Sequence, residues 1–290
     1  MGVVVTGADG FAGRWLCRQI LAEGRSVTGW VRREPVHPLA GVQYRVQDIR
    51  DARGVRRAML EDMPVEVFHL AAMTHVASCA EDPAAAHETN VLGTAHVFSA
   101  MPTGARGVFA STCHVYGKPD GSPIREDDTL SGVGTYARSK VEAERVIADL
   151  NRSVVVARAF HHTGPGQSSL YVLADWAAQI RAGAETIRVG NVTVERDFLD
   201  VRDVVNGYAT LARNGVAGEA YNLCSGTARP LSYFLDCMTE GRSVHVEVES
   251  RRLRQGEVDR FCGDPSRARA VGWSPARQIE DTLREMVQSG

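Results

Sequence analysis

The chain has 290 residues, of which 44% are hydrophobic and 23% charged, a composition typical of soluble enzymes. Its formal net charge is −2 at pH 7 and it contains no extended basic block, so we expect no nucleic-acid partner. No apolar run approaches the ~20 residues that span a bilayer, and we expect no membrane partner. The first apolar run begins at residue 3, which leaves no room for a signal peptide and favours a cytoplasmic location.

The cysteines and histidines show no pattern typical of a disulfide framework or a metal site. The six cysteines form no Cys-x-x-Cys pair, and we expect them to be reduced thiols. The nine histidines have no metal-ligand spacing either. His161 and His162 are adjacent, and neighbouring side chains do not easily share one ion. We therefore expect no metal centre.

The first two predicted elements enclose a glycine-rich turn. Residues 3–6 are a β-branched run typical of a buried parallel strand, and residues 11–22 have the apolar periodicity of a helix. Glycines between them permit a tight turn, close approach of the backbone to a pyrophosphate, and packing of helix on strand. A plain turn would also explain glycine spacing alone. Its position between strand and helix predicts a dinucleotide site with Gly7, Gly10, Phe11 and Gly13.

A second strand is predicted for residues 26–31 and ends at Arg32 and Arg33. An acidic residue at this point would bind the adenosine ribose hydroxyls and favour NAD. Two arginines stand there instead, and arginines suit a 2′-phosphate, so NADP is favoured over NAD. In the alternative interpretation, two surface arginines in an arginine-rich chain carry no information about the cofactor.

The following elements alternate between strand and helix. Strands are predicted at residues 43–46, 65–70 and 108–111, and helices at 51–63 and 82–101. This alternation predicts an α/β fold, a Rossmann-type doubly wound parallel sheet. Ligands of such sheets bind at the carboxyl ends of the strands, which adds these residues to the predicted cofactor site: Asp48, Ile49, Leu70, Ala71 and Ala72. Residues 117–134 are rich in Gly, Pro and Asp and predict a surface loop near the active site.

A hydroxyl, a phenol and an ammonium group follow in the order expected for hydride chemistry. Thr112 lies at the end of the fifth strand, and Tyr136 and Lys140 lie four residues apart on a predicted helix, 136–150. An ammonium near a phenol lowers the tyrosine pKa from about 10 and tunes it for proton transfer. Thr112 could hydrogen-bond the same substrate oxygen. Lysine four residues after tyrosine is common by chance, and here the preceding dinucleotide motif makes the pair specific.

Together these motifs resemble the extended short-chain dehydrogenase/reductase family. The resemblance rests on the opening Thr-Gly-x-x-Gly-x-x-Gly, on His-Leu-Ala-Ala at residues 69–72, on Asn-Val-Leu-Gly-Thr at residues 90–94 and on Tyr-x-x-x-Lys. It covers the chain from residue 2 almost to its end. Within the family, residues 158–167, 189–191, 196–203 and 221–226 are most similar to GDP-4-keto-6-deoxy-D-mannose reductases.

The resemblance implies roles for individual residues. Thr112, Tyr136 and Lys140 would be catalytic, and Arg196, Arg254 and Glu257 would hold the nucleotide diphosphate of a nucleotide-sugar substrate. The resemblance also implies cofactor contacts for these residues: Arg32, Asn90, Tyr136, Lys140 and Phe160. It implies substrate contacts for these residues: Thr112, Cys113, His114, His161 and Asn191. A solvated charged face would equally explain residues 249–260, and a helix cap would explain Asp200 and Asp203.

Two departures from the family pattern bear on the reaction. His161 stands where the reductases usually have Asn, which changes a sugar or phosphate contact. Cys113 and His114 follow the catalytic threonine, where the related 4,6-dehydratases carry acidic residues that serve as general acid and base. Their loss argues against standard dehydration, although an imidazole such as His114 could substitute.

The expected protein is an NADPH-dependent reductase of a nucleotide-linked 4-keto-6-deoxyhexose. Residues 1–160 with about 201–218 are predicted to form the NADP-binding domain, and residues 161–200 and 219–290 a smaller substrate-binding lobe. The alternatives are a nucleotide-sugar epimerase or dehydratase that retains its NAD(P), and a non-catalytic dinucleotide sensor. A homodimer is compatible with the family resemblance.

Overall fold

The computed structural model describes residues 2–253 and 256–288. Its strands are β1 (Val3–Thr6), β2 (Val27–Val31), β3 (Val42–Val46), β4 (Glu66–His69), β5 (Arg106–Thr112), β6 (Val154–Ala159), β7 (His161–Thr163), β8 (Thr186–Val189), β9 (Glu195–Arg196), β10 (Phe198–Asp200), β11 (Ala220–Leu223), β12 (Arg229–Pro230), β13 (His245–Val248) and β14 (Arg260–Phe261). Its α-helices are α1 (Phe11–Ala22), α2 (Ala52–Asp62), α3 (Val76–Glu81), α4 (Pro83–His87), α5 (Gly93–Ala100), α6 (Gly134–Asp149), α7 (Val172–Arg181), α8 (Val201–Asn214), α9 (Leu231–Thr239), α10 (Ser266–Ala270) and α11 (Ile279–Gln288).

A seven-stranded parallel sheet forms the centre of the molecule, in the order β3-β2-β1-β4-β5-β6-β11. The strand order reverses at β1, which pairs with β2 on one side and β4 on the other. At such a reversal the following loops leave in opposite directions and open a cleft at the carboxyl edge. The predicted fold class, a doubly wound Rossmann-type sheet, is confirmed.

Both faces of the sheet are covered by helices, and β1 shows how the sequence divides between them. Val3 and Val5 join the apolar cluster with α1 and α8, whereas Val4 joins the opposite cluster with α2, α5 and α6. Alternate side chains of a strand point to opposite faces, so a run of consecutive valines fits a strand buried on both sides.

A third large apolar cluster lies in the C-terminal half, between α7, α9, α11 and β8. The predicted substrate lobe, residues 161–200 and 219–290, contains these elements together with the short pairs β8–β13, β7–β10 and the triplet β12-β9-β14. The structure differs from that boundary at β11, which pairs with β6 and belongs to the central sheet. Within the described ranges no helix has the length and apolar character needed to cross a membrane.

The helix predicted for residues 82–101 is interrupted. After α3, which the sequence did not indicate, α4 is followed by a π-helical turn, Glu88–Leu92, and then by α5. The Thr94 hydroxyl, in the first turn of α5, donates to the Asn90 carbonyl of the π-helical turn at 2.7 Å. Such turns often mark functional positions, and this one carries Asn90.

The loop between residues 117 and 133 is more buried than its composition predicts. Ile124 is buried, and its N–H donates to the Cys262 carbonyl at 2.8 Å. The N–H of Asp264 returns a bond of 2.8 Å to the Ile124 carbonyl. The loop therefore joins the region that follows β5 to the C-terminal part of the chain.

Candidate active site

The glycine turn after β1 is closely packed. Gly7 has φ +68°, and a Cβ atom there would lie 2.9 Å from the Ala71 nitrogen. A Cβ at Gly13 would collide with the Gly7 carbonyl oxygen, so α1 packs on the turn only without a side chain at that position. Gly10 is the N-terminal cap of α1, and no described side chain bonds to the helix N–H groups there. Those groups suit a phosphate, so the turn fits the predicted dinucleotide.

The residues predicted for the adenosine end lie at one edge of the sheet. Arg32 and Arg33 are exposed directly after β2, and Asp48 follows the neighbouring strand β3. A hydrogen bond from Arg50 lowers the pKa of Asp48, and the charge of Arg32 adds to this effect. The Arg32 guanidinium is therefore close enough to act on this carboxylate. Ile49 is buried beneath, against Gly93.

His69 connects the sheet to the π-helical turn. One ring nitrogen lies 2.7 Å from the Thr6 hydroxyl oxygen, and the other lies 2.9 Å from the Thr94 hydroxyl oxygen. The Thr6 hydroxyl also accepts from the N–H of Ala71 at 3.1 Å. His69 is fully buried, and burial lowers its pKa to about 3. This agrees with a structural role for this histidine.

We expect His69 to make the protein sensitive to mild acid. Between its unfolded pKa of about 6.5 and its folded pKa of about 3, the unfolded chain binds a proton that the folded chain excludes. The free energy of unfolding therefore falls as pH drops, by up to about 1.4 kcal/mol per pH unit. Urea unfolding at several pH values between 6.5 and 5 measures how the free energy of unfolding changes with pH. We expect this dependence on pH to be weaker for His69→Gln than for the wild type, and unchanged for the exposed His245→Gln. Equal slopes in wild type and His69→Gln would contradict this role.

Asn90 is held by bonds that occupy its side-chain amide. Its NH₂ group donates to the Met73 carbonyl at 3.0 Å and to the Ser139 hydroxyl at 2.9 Å, and its carbonyl accepts from the N–H of Met73 at 2.8 Å. The Ser139 hydroxyl in turn donates to the Tyr136 carbonyl at 2.8 Å. The sequence predicts a cofactor contact for Asn90, and the structure adds a positioning role for the first turn of α6.

The side chains of Thr112, Tyr136 and Lys140 lie close together at the start of α6. Thr112 ends β5, while Tyr136 and Lys140 lie one turn apart on α6, and all three are buried. A hydrogen bond links the side chains of Thr112 and Tyr136 and acts to lower the pKa of the phenol. The Lys140 ammonium donates to the Ala110 carbonyl at 2.8 Å and lies 4.5 Å from the centre of the Phe109 ring.

The expectation of a lowered pKa for Tyr136 is wrong, because the pKa of this phenol is raised in the structure. Burial raises the pKa of the phenol, and only the bond with Thr112 among the leading causes opposes it. Burial also lowers the pKa of Lys140 to about 8, although the charge of Glu144 raises it. The phenol is therefore protonated at neutral pH, the form that a proton donor requires.

A buried ionic network adjoins these groups and was not predicted. Glu144, one turn after Lys140, forms a salt bridge of 2.8 Å with Arg158 of β6, and both side chains are 7% exposed. The Ser111 hydroxyl donates to Glu144, and Arg158 donates to the Tyr116 hydroxyl at 2.9 Å. A sequence signal existed, because an arginine within a buried apolar strand requires a buried partner.

An aromatic wall of His114, His161, Phe198 and Phe261 lies against Tyr136. The His114 ring centre lies 6.1 Å from that of Tyr136, 5.5 Å from that of His161 and 5.5 Å from that of Phe261. The His161 ring centre lies 5.4 Å from that of Phe198. Two predicted substrate residues, His114 and His161, thus share one surface beside Tyr136.

Arg196 and Glu257 extend this surface. The Arg196 guanidinium forms a salt bridge of 3.4 Å with Glu257 and lies 5.7 Å from the Phe261 ring centre. The neighbouring Asp197 is buried and accepts from the N–H groups of Ser225 and Gly226 at 2.9 Å each, so it orders a loop.

The other predicted site residues fall into different environments. Phe160 is buried in an apolar cluster with Cys113, and the Asn191 side-chain carbonyl accepts from the N–H of Thr193 at 3.0 Å. Arg254 lies outside the described residues. Asp200 caps α8 by accepting from the N–H of Arg202 at 2.6 Å, which confirms the cap interpretation for this residue. The Asp203 carboxylate instead accepts from the N–H of Arg277 at 3.0 Å.

Known proteins with similar sequences and structures match nearly the whole chain. The family described as GDP-mannose 4,6 dehydratase matches residues 4–286. GDP-6-deoxy-D-mannose reductase of Pseudomonas aeruginosa is 33% identical over 303 residues, which cover 98% of this chain and 95% of that protein.

Two solved structures superpose over 99% of the chain. The structure of RMD from Pseudomonas aeruginosa complexed with NADPH has a TM-score of 0.86, 29% identity and 97% coverage of its own chain. The UDP-glucose 4-epimerase of Thermus thermophilus in complex with NAD has a TM-score of 0.88, 27% identity and 98% coverage. Since the family match spans nearly the whole sequence, the chain belongs to the GDP-mannose 4,6-dehydratase-like branch of the extended short-chain dehydrogenase/reductases.

Proposed function

We propose that this protein is an NADPH-dependent reductase of the 4-keto group in a nucleotide-linked 4-keto-6-deoxyhexose. The observation that carries the proposal is the protonated Tyr136 phenol, bonded to Thr112 and placed at the carboxyl edge of the sheet. Similarity to GDP-6-deoxy-D-mannose reductase supports both the reaction and the class of sugar.

The cofactor would lie across the turn of Gly7, Gly10 and Gly13, with its adenosine end toward Arg32 and Arg33. A bound NADPH supplies the hydride that reduces the keto carbon. NADPH in the similar RMD structure and the two exposed arginines after β2 support this assignment. The glycine turn leaves no room for side chains at Gly7 and Gly13, and the first N–H groups of α1 would bind the diphosphate.

In the proposed mechanism Tyr136 donates a proton to the substrate oxygen as charge develops on it. Thr112 hydrogen-bonds the same oxygen, which stabilises the developing charge and orients the carbonyl. Lys140 lies one turn away on the same helix, and its positive charge favours the phenolate that remains after transfer. The raised pKa of Tyr136 keeps the phenol protonated until the substrate oxygen takes the proton.

The nucleotide end of the substrate would bind along the surface of His161, Arg196 and Glu257. A guanidinium is suited to a bidentate grip on a phosphate, and Glu257 orients the group through its salt bridge. Binding at the diphosphate, remote from the reacting carbon, would align the keto group with Tyr136. Asn191 and Arg254 complete the proposed substrate set.

A nucleotide-sugar epimerase is the second candidate, and its support is the similarity to UDP-glucose 4-epimerases in sequence and fold. Such an enzyme retains its dinucleotide and regenerates it in each cycle. Cys113 and His114 replace the acidic pair that dehydratases use, so a dehydratase is less compatible with this site.

The proposed function is tested by following NADPH absorbance with GDP- and dTDP-4-keto-6-deoxyhexoses. We expect one NADPH to be oxidised for each sugar reduced, and no tightly bound NAD in the purified protein. Absence of NADPH oxidation with every sugar, together with bound NAD, would favour the epimerase.

Replacement of the two arginines tests the cofactor preference. Arg32→Ala/Arg33→Ala is expected to raise the Kd of NADPH about 10- to 100-fold and to leave that of NADH unchanged, because charge-assisted hydrogen bonds contribute about 1.5–3 kcal/mol. Titration of nicotinamide fluorescence measures both constants. The exposed Arg56→Ala of α2 is the matched control. Equal losses for NADPH and NADH would show that these arginines do not recognise a 2′-phosphate.

A further inference from the structure

Three side chains with metal-binding atoms meet at the carboxyl edge of β5 and β6. These strands pair in parallel with Thr112 opposite Ala159, so the residues that follow each strand emerge side by side. Cys113 and His114 begin the turn after β5, and His161 begins β7 shortly after β6. One thiol or imidazole atom from each residue lies within 4.8 Å of the other two.

This set of ligands has the chemistry of a zinc site. One thiolate and two imidazoles are ligands that Zn²⁺ prefers, at about 2.3 Å for sulfur and 2.0–2.1 Å for nitrogen. Two ligands on one tetrahedral ion are therefore about 3.5 Å apart. Movements on the order of 1 Å, within the range of side-chain torsions, bring the three atoms to that separation. We propose that Cys113, His114 and His161 bind one Zn²⁺ ion and leave its fourth position open.

Metal binding at this site requires the Cys113 thiol to lose its proton. The charges of Arg196 and Asp197 act on the Cys113 sulfur in opposite senses. Burial raises the pKa of this thiol to about 12, and the thiol is protonated without a metal. Binding forms a sulfur–zinc bond and releases the thiol proton to solvent, with no change of oxidation state.

The position of the proposed zinc site determines how a bound ion would affect turnover. The His114 ring centre is 6.1 Å from that of Tyr136, and His161 belongs to the proposed substrate surface. A zinc ion here would occupy space that the substrate requires and would leave the glycine turn accessible. We therefore expect inhibition that is competitive with the sugar and not with NADPH. This effect on turnover rests on the proposed function, whereas metal binding is independent of it.

Binding is measured with Co²⁺ as a spectroscopic replacement for Zn²⁺. We expect one Co²⁺ per chain, with a near-ultraviolet charge-transfer band that only a thiolate ligand produces, and its displacement by Zn²⁺. Cys113→Ser should abolish the band, and His161→Asn should weaken binding at least ~10-fold. Cys237→Ser and His245→Gln, which lie elsewhere in the described chain, should retain wild-type binding.

Circular dichroism and thermal unfolding establish that each variant is folded, and His161→Asn is the second variant should Cys113→Ser fail to fold. Retention of the band in Cys113→Ser, or equal binding by wild type and His161→Asn, would overturn the site. If the sugar is not reduced by NADPH, the Co²⁺ titration still decides the metal proposal. Loss of metal binding alone leaves the reductase proposal intact.

Discussion

Tyr136→Phe is expected to lower turnover by at least ~10²-fold while NADPH still binds. Typical contributions of a general acid are of this size, and the substitution removes only the hydroxyl that donates the proton. Tyr136 is 8% exposed, so phenylalanine fills the same space and the apolar contacts with Cys79 and Ala86 remain. Steady-state NADPH oxidation measures turnover, and fluorescence titration measures binding of the cofactor.

Tyr221→Phe is the matched control for this experiment. Tyr221 is also buried, but its hydroxyl accepts from the N–H of Val216, away from the proposed site. We expect that variant to retain turnover and to lose only the modest stability of one hydrogen bond. Near-normal turnover in Tyr136→Phe would contradict the assignment of the proton donor.

Arg158→Met is expected to lower the free energy of unfolding by about 3–5 kcal/mol, because it leaves the Glu144 carboxylate buried without its cation. The same substitution removes the bonds of Arg158 to the Tyr116 hydroxyl and to the Glu126 carbonyl, each 2.9 Å long. Urea unfolding monitored by circular dichroism measures this loss, because the free energy of unfolding follows from the midpoint of the transition and from its dependence on urea concentration.

The double variant Glu144→Leu/Arg158→Met separates the burial of an unpaired charge from the loss of the pair itself. Replacing both partners of a buried ion pair with apolar residues is often nearly neutral, so the double variant should be more stable than Arg158→Met alone. Arg284→Met removes an exposed pair with Asp281 and should cost about 1 kcal/mol or less. Equal losses in Arg158→Met and Arg284→Met would show that the buried network contributes no special stability.

Local patterns in the sequence predicted the elements of the first half well. Helix α1 has the predicted bounds, and the other predicted strands and helices up to α6 shift at their ends by one or two residues, apart from the segment before β5. That segment contains the π-helical turn at Asn90, whose hydrogen bonds to Met73 and Ser139 are tertiary contacts. Helical periodicity does not record such contacts, so one continuous helix was predicted.

The proximity of the three proposed catalytic residues could be predicted because each of them follows a local rule. Tyr136 and Lys140 share a helix face by their spacing, and Thr112 ends a strand. The pKa of Tyr136 could not be predicted, since it depends on burial by distant elements rather than on Lys140 alone. The tertiary arrangement therefore decides the pKa of the Tyr136 phenol.

Contacts between residues that are distant in the sequence could not be predicted from local patterns. His161 is far from His114 in sequence, and only the parallel register of β5 with β6 brings their ring centres to 5.5 Å. Glu144 and Arg158 are likewise joined across α6 and β6. Linear spacing therefore predicted neither the ionic network nor the cluster of metal-binding atoms.

Transfer of deuterium from cofactor to sugar tests the central claim most directly. NADPH deuterated at nicotinamide C4 would be incubated with a GDP- or dTDP-4-keto-6-deoxyhexose, and the product analysed by NMR and mass spectrometry. A reductase places one deuterium at C4 of the sugar for each cofactor oxidised. Formation of an epimerised or dehydrated sugar without deuterium at C4, and without net consumption of NADPH, would contradict the account.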